Sequence, residues 1–223
     1  MASIILADQW KIPEGLASLD AFGSWARSAA FPEEGRIDFL SGVVEIDMSP
    51  EELHAHGRVK TRIAHVLETL VGDTDLGDVF IDSTRVTSAA GGFSVEPDVV
   101  VALHESAEAG RFSFLAKSGG DPQRFVEIEG GPDVIVEIVS DGSVAKDSRR
   151  LPPLYFRAGV REYWLVDVRR EVRFEVQRRG PSGFEPTTPD AEGFQLSEVL
   201  GRRFRLIRST TRRGLPRFEL ETR

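Results

Sequence analysis

The chain has 223 residues, 40% hydrophobic and 29% charged, which is enough to bury a core without covalent staples. It has no cysteine, which excludes disulfides, thiolate zinc sites and a cysteine nucleophile and fits a reducing compartment. The net charge of −8 argues against a protein that grips nucleic acid by bulk electrostatics. The charge is uneven, however. The chain is acidic up to about residue 145 and basic beyond it, with arginine pairs at Arg149-Arg150, Arg169-Arg170, Arg178-Arg179, Arg202-Arg203 and Arg212-Arg213. Any one pair reads as solvated surface charge; together they permit one basic face beside an acidic site.

No apolar run approaches the roughly 20 residues of a membrane span. The N-terminal run Ile4–Ala7 lacks the basic lead and the length of a secretory signal. A soluble cytoplasmic protein is expected. Leu19, Phe22, Trp25 and Ala26 recur at helical spacing and predict a helix over 16–29, ended by Pro32. Segments 36–40 and 43–48 alternate apolar and polar residues around Ser41-Gly42, which predicts a hairpin. Ser49-Pro50-Glu51-Glu52 then reads as a helix start, with Ser49 as N-cap, Pro50 in the first turn and Glu52 completing a capping box. Val59, Ile63, Val66, Leu67 and Leu70 give that helix one apolar face down to Gly72.

Strands are expected over 79–86 and 95–103, followed by a loop-rich excursion over 104–131 punctuated by Gly119-Gly120 and Gly130-Gly131. The continuous run Asp133–Val139 (DVIVEIV) suits a central strand buried on both faces. A helix over 149–158 follows. Pro152-Pro153 is tolerable there only in the first turn, where backbone N–H groups lack partners anyway, and Gly159 caps the end. Segments 161–168 and 172–178 read as paired strands, and 204–220 as one or two more. The order implies a mixed sheet flanked by helices in a single α/β or α+β domain.

Two acidic residues stand out against this background. Asp98 follows Pro97 at the mouth of a strand otherwise fit for burial, and Glu137 lies inside an apolar run. A charge in such a run costs several kcal/mol unless it is paired or binds metal. Two carboxylates on neighbouring strands can hold Mg²⁺ or Mn²⁺ through oxygen, with water completing the octahedron.

The segments EPDVVV, DVIVEIVS, KDSRRLPPLYFRAGVREYWLVDV and IDMSPEELHAHGRVKTRI resemble the Uma-type restriction endonuclease family of the PD-(D/E)xK nuclease superfamily. The resemblance runs from about Gly35 to Val168 and is strongest from DVIVEIVS through EYWLVDV. It implies a restriction-endonuclease-like fold with a mixed central β-sheet, a nuclease core over 35–168 and a C-terminal β extension over 169–223, all within one domain. It implies Asp98 as the aspartate of the PD motif and Glu137 as the second carboxylate. The expected chemistry is hydrolysis of a DNA phosphodiester with Mg²⁺ or Mn²⁺ as cofactor. Val139, two residues after Glu137, is not lysine. In this branch the lysine tends to sit on the next helix, where alignment on Tyr155 puts Leu151 instead. Lys146 is the nearest replacement. His56 matches a histidine of the family's SP…H stretch, and Lys60 lies one turn away on the same helix face. Glu45 or Asp47 can supply the additional acidic residue common in the superfamily.

Three readings of function compete. The first is a metal-dependent DNA endonuclease with Asp98, Glu137 and Lys146 at its centre. The second is a nuclease-fold module that has lost catalysis with the missing lysine and binds DNA or a protein partner. The third, a small-molecule hydrolase, lacks G-x-S-x-G, H-E-x-x-H and any phosphate-cradling loop. A homodimer is expected from the aromatic load of Tyr163, Trp164, Phe174, Phe184 and Phe194 and from the two cuts that duplex cleavage requires.

Overall fold

A computed structural model describes residues 12–32 and 35–223; the apolar run at Ile4–Ala7 lies outside them. Helix α1 (Leu19–Ala26) starts at Ser18, whose Oγ accepts the Ala21 N–H at 3.2 Å. It buries Phe22 and Trp25 against Ile37 and Phe39 of strand β1 (Arg36–Leu40). Strand β2 (Val43–Asp47) returns through Ser41 and Gly42, both at positive φ (51° and 91°), which is the mirror-image turn that matches strand twist.

The start of the long helix differs from expectation. Ser49 stays outside it, bonding the Asp47 carboxylate through Oγ at 2.5 Å and backbone N–H at 2.8 Å. Glu52 is the cap, accepting the Ala55 N–H. A π-helical turn (Leu53–Gly57) then leads into α2 (Arg58–Val71), whose Val59, Ile63, Leu67 and Val71 recur every four residues and are fully buried.

The expected strand over 79–86 is two strands, β3 (Gly77–Ile81) and β4 (Arg85–Ser88). Asp82 and Ser83 break it with φ of 38° and 51°. Strands β5 (Phe93–Val95) and β6 (Val99–Leu103) follow. The stretch read as loop instead holds a short helix α3 (His104–Glu108) and strands β7 (Phe112–Ala116) and β8 (Phe125–Gly130). Strand β9 (Val134–Ile138) is fully buried. After it comes a second π-helical turn (Lys146–Arg150), which continues into α4 (Leu151–Ala158). Here the Leu151 N–H reaches back five residues to the Lys146 carbonyl. Pro152 and Pro153 have no N–H to claim the carbonyls between, so the wider turn costs little. Gly159, at φ 90°, ends α4. The chain finishes with β10 (Glu162–Asp167), β11 (Arg173–Arg179), β12 (Phe184–Pro186), β13 (Gln195–Ser197), β14 (Arg202–Thr210) and β15 (Pro216–Thr222).

Three sheets result. The central one has the order β12-β11-β10-β9-β6-β3. Only β9 and β10 run parallel within it, as a crossover through α4 requires. A second six-stranded sheet has the order β2-β1-β5-β4-β8-β7, and a third is the antiparallel set β13-β14-β15. One face of the central sheet presents Val99, Val101, Val134, Val136 and Trp164 to α2 and to Phe204, Leu206, Phe218 and Leu220 of the third sheet. The other face presents Val100, Ile135, Tyr163 and Leu165 to α4 and to Val86 and Phe93 of the second sheet.

The aromatic residues that suggested a dimer are satisfied within the chain. Tyr163 and Trp164 are fully buried, and Phe174 and Phe194 nearly so. Phe184 packs on Phe156 and Tyr163 with ring centroids 5.6 and 5.8 Å apart. The third sheet covers Trp164 and Phe174, so these rings need no partner subunit to be buried. No helix among the described residues is long and apolar enough to cross a membrane.

Candidate active site

Strands β6 and β9 pair antiparallel, with Val99 opposite Val136. One step further along the register puts Asp98 opposite Glu137, and directly opposed residues share a face of the sheet. That face belongs to Val100, Ile135 and Val139. Both carboxylates are out of solvent, with Asp98 1% and Glu137 3% exposed.

Asp98 is held on every side. Its Oδ2 accepts the Ile138 backbone N–H at 2.7 Å and faces His56 Nε2 at 3.3 Å. Its Oδ1 accepts from Arg36 at 3.1 Å, and the Lys60 ammonium stands 4.0 Å away. Burial opposes ionisation, but the His56 hydrogen bond and the Arg36 charge outweigh it and hold this carboxyl well below the usual carboxylate range. Glu137 is the opposite case. It accepts one hydrogen bond, from the Tyr155 hydroxyl at 2.5 Å. Burial raises its pKa well above the usual range, and the charges of Asp147 and Asp98 raise it further.

The two π-helical turns deliver the surrounding groups. The first carries His56, whose Nδ1 lies 2.7 Å from Glu51 while Nε2 faces Asp98. With a carboxylate at each nitrogen, its pKa rises despite burial, which favours the imidazolium. Lys60 follows one turn later, buried, bonded to Asp82 and 2.8 Å from Glu51. The second turn carries Lys146 and Asp147. The Lys146 ammonium donates to Asp38, which also accepts the Glu96 N–H at 3.1 Å. Burial works against the Lys146 charge, but Asp38 and then Glu137 raise its pKa. Burial lifts the Asp147 carboxyl to about 6 against the Ser143 hydrogen bond, with Asp98 adding to the rise.

The expected residues Asp98, Glu137, His56, Lys60 and Lys146 thus come to one place. Asp47 lies at the mouth of the cleft, bonded to Ser49. Glu45 turns outward to Arg150. Four further residues join them that sequence reasoning passed over: Arg36, Asp38, Asp147 and Tyr155. Asp38 carries the same signal as Glu137, an acidic residue amid buried apolar neighbours (Ile37, Phe39 and Leu40) in one strand. Arg36, Asp147 and Tyr155 carry no such local signal.

A cleft of about 540 Å³ opens over this cluster, walled by Arg36, His56, Lys60, Asp82, Ser140 and Arg169. Asp98 and Glu137 do not line it themselves; Arg36, which does, bonds Asp98 and has its side chain 28% exposed. Among the described residues no set of three or more His, Cys, Asp or Glu side chains is arranged to cage a metal ion. Two carboxylates nonetheless fit Mg²⁺, which keeps several waters and takes one or two carboxylates plus substrate oxygens. The buried Glu137, bonded to a hydroxyl and to no cation, is the acceptor such an ion would suit.

No curated protein matches the chain. In fold it is similar to a crystal structure from Anabaena variabilis described as "a putative nuclease belonging to DUF820". The two share 19% identity with a TM-score of 0.58, over 82% of this chain and 90% of the other; at that identity the likeness concerns the fold. The family model Uma2, described as "Putative restriction endonuclease", matches residues 19–207. With a match that spans α1 to β14 and so takes in the whole cluster around Asp98 and Glu137, the chain belongs to the Uma2 family.

Proposed function

We propose that this protein is a metal-dependent endonuclease that hydrolyses DNA phosphodiester bonds. The observation that carries the reading is the buried pair Asp98 and Glu137, opposed on adjacent strands beside a cleft walled by Arg36, His56, Lys60 and Arg169. Asp98 and Glu137 would hold Mg²⁺ or Mn²⁺. When bound, the ion would polarise a phosphate oxygen and lower the pKa of a coordinated water. The chain's own groups do the rest. Ile138 N–H and His56 orient Asp98, and Tyr155 orients Glu137. Arg36 and Lys60, cations at the cleft wall, meet an incoming phosphate, with the His56 imidazole beside them. Lys146, held by Asp38 on the turn after β9, takes the role of the family lysine absent at Leu151, stabilising negative charge that develops on phosphate. Arg36 bonds Asp98 and feels Glu137 and Asp38, so its guanidinium would compete with a bound ion for the Asp98 carboxylate.

We further take residues 1–223 as one domain, since Phe204, Leu206, Phe218 and Leu220 share a core with α2 and the central sheet. A homodimer belongs to this reading because duplex cleavage needs two cuts; sedimentation tests it. Calorimetric titration of the protein with Mn²⁺, followed by plasmid nicking with Mg²⁺ or Mn²⁺, tests the function. Saturable binding with metal-dependent nicking is expected. Absence of both would move the protein to the second reading, a nuclease-fold binding module.

A further inference from the structure

The stretch from Gly201 to Arg217 holds seven arginines and no aspartate or glutamate, in a chain whose net charge is −8. Three of the seven are neutralised: Arg203 by Asp190, Arg205 by Glu221 and Arg217 by Glu219. Arg202, Arg208, Arg212 and Arg213 are exposed and have no carboxylate partner among the described residues, and the last three lie toward the tip of the β14–β15 hairpin. Arg208, Arg212 and Arg213 thus lie within six residues of one another on one hairpin that carries no acidic residue between Gly201 and Arg217.

Strand direction fixes where these arginines lie. Phe204 packs on Trp164 in β10, with ring centroids 4.8 Å apart. Four residues on, the Arg208 guanidinium donates to the Arg170 carbonyl at 3.0 Å, just past the end of β10. Strand β14 therefore runs beside β10 toward its C-terminal end, and the hairpin tip continues past it. Strand β15 then returns along α2 and the π-helical turn that carries His56. The same end of the sheet holds Ser140 and Arg169 of the cleft wall. The tip is a built turn. Thr211 N–H donates to Leu215 at 2.9 Å, Gly214 N–H to Thr211 at 2.9 Å, and Leu215 N–H to Thr211 Oγ1 at 3.1 Å. Gly214 takes φ 78°. Arg212 and Arg213 are thus presented on a hydrogen-bonded turn past the same end of the central sheet as the cleft.

We propose that the tip of the β14–β15 hairpin is an arm that grips the sugar-phosphate backbone of duplex DNA flanking the cut. The inference rests on the reading of the cleft as a DNA-cleaving site. Guanidinium groups pair bidentately with phosphate, and a duplex offers one charge per roughly 1.7 Å of axis. An acidic protein needs such a local contact to dock DNA in one orientation. The tip lies beyond residue 207, where the family match ends.

The test is the salt dependence of binding to a fluorescent DNA duplex, followed by anisotropy in chelator so that no cleavage intervenes. The triple variant Arg208→Ala/Arg212→Ala/Arg213→Ala should bind at least about tenfold more weakly at low salt and lose about two to three from the slope of log K against log salt. The corresponding lysine variant should keep most of that slope. If the triple variant fails to fold, Arg212→Ala/Arg213→Ala, confined to the exposed turn, should lose about two. A wild-type slope in a folded alanine variant overturns the proposal, as does a wild-type protein that binds anionic vesicles and not the duplex. Loss of slope in a protein that never nicks DNA supports the arm while removing the nuclease reading, so the two fail separately.

Discussion

The two faces of strands β6 and β9 do different work. Alternate residues Val99, Val101, Val134, Val136 and Ile138 enter an all-apolar core beneath α2 and the third sheet. The residues between them begin as the same kind of packing, Val100 and Ile135, and end in Asp98 and Glu137. Separation is complete at one residue's distance because side chains alternate across a sheet. The apolar face stabilises. The other face keeps two carboxylates out of water, one supported by His56, Arg36 and a backbone N–H, the other by a single hydroxyl. Two carboxylates can therefore be carried on fully buried strands while their cost stays on one side of them.

The sharpest break of this comparison is Glu137→Gln. Cleavage should fall by a factor on the order of a thousand or more, while the melting temperature holds or rises, since a buried carboxylate is removed and the Tyr155 contact is kept. A variant that loses stability and retains cleavage would put Glu137 with the packing residues. On the apolar face, Trp164→Ala should cost about 3–5 kcal/mol in denaturant unfolding and leave Mn²⁺ affinity of the folded protein unchanged. Lys146→Ala should slow cleavage about a hundredfold with metal affinity within a few-fold of wild type. If Lys60→Ala abolishes cleavage and Lys146→Ala does not, the helix lysine holds the role. Arg36→Met should tighten Mn²⁺ binding by about tenfold, roughly 1.4 kcal/mol, if the guanidinium competes for Asp98; weaker binding would make Arg36 a support of the ion.

The smallest effect is read at alkaline pH. The chain has two tyrosines, Tyr155 and Tyr163, both fully buried. Burial, with Glu137 beside them, raises both phenols well above their ordinary value of about 10. A folded-state pKa raised in this way contributes stability that is fully present below pH of about 10 and is lost as the pH climbs past it. Tyrosinate absorbance should thus appear in one step with the loss of circular dichroism. Phenol ionisation at the ordinary pH in an intact fold would show these rings to be in contact with water.

How much of this was legible in the sequence follows from how local each signal is. The faces of α2 and β9, the Ser41-Gly42 turn and the carboxylates Asp98 and Glu137 announce themselves within a few residues. Asp82-Ser83 marks its turn more weakly, because without a glycine or proline two turn-forming residues do not by themselves interrupt an apolar strand pattern. The paired glycines 119-120 and 130-131 punctuate a stretch in which β7 precedes the first pair and β8 lies between the two, so turn residues at strand ends read as loop. The π-helical turns depend on hydrogen bonds that shift by one residue, which periodicity does not register. Arg36 and Tyr155 entered the site only through contacts 62 and 18 residues away in sequence. The arginine pairs were visible but not their differing fates: Arg203 meets Asp190, while Arg212 and Arg213 face solvent.

Asp98 has a second duty that bears on how relatives of this chain are compared. Its Oδ2 takes the backbone N–H of Ile138, so it continues the hydrogen-bond ladder past the end of β6. Replacing it with alanine would leave a buried amide orphaned, at about 1–3 kcal/mol. Selection for folding alone would therefore preserve this aspartate in a descendant that no longer cuts anything. Glu137 has no such duty to the backbone; its one partner is the Tyr155 hydroxyl, which a glutamine at that position would also satisfy. Under the proposed function, replacement of Glu137 by glutamine, rather than loss of the aspartate, would mark a relative that has ceased to cut.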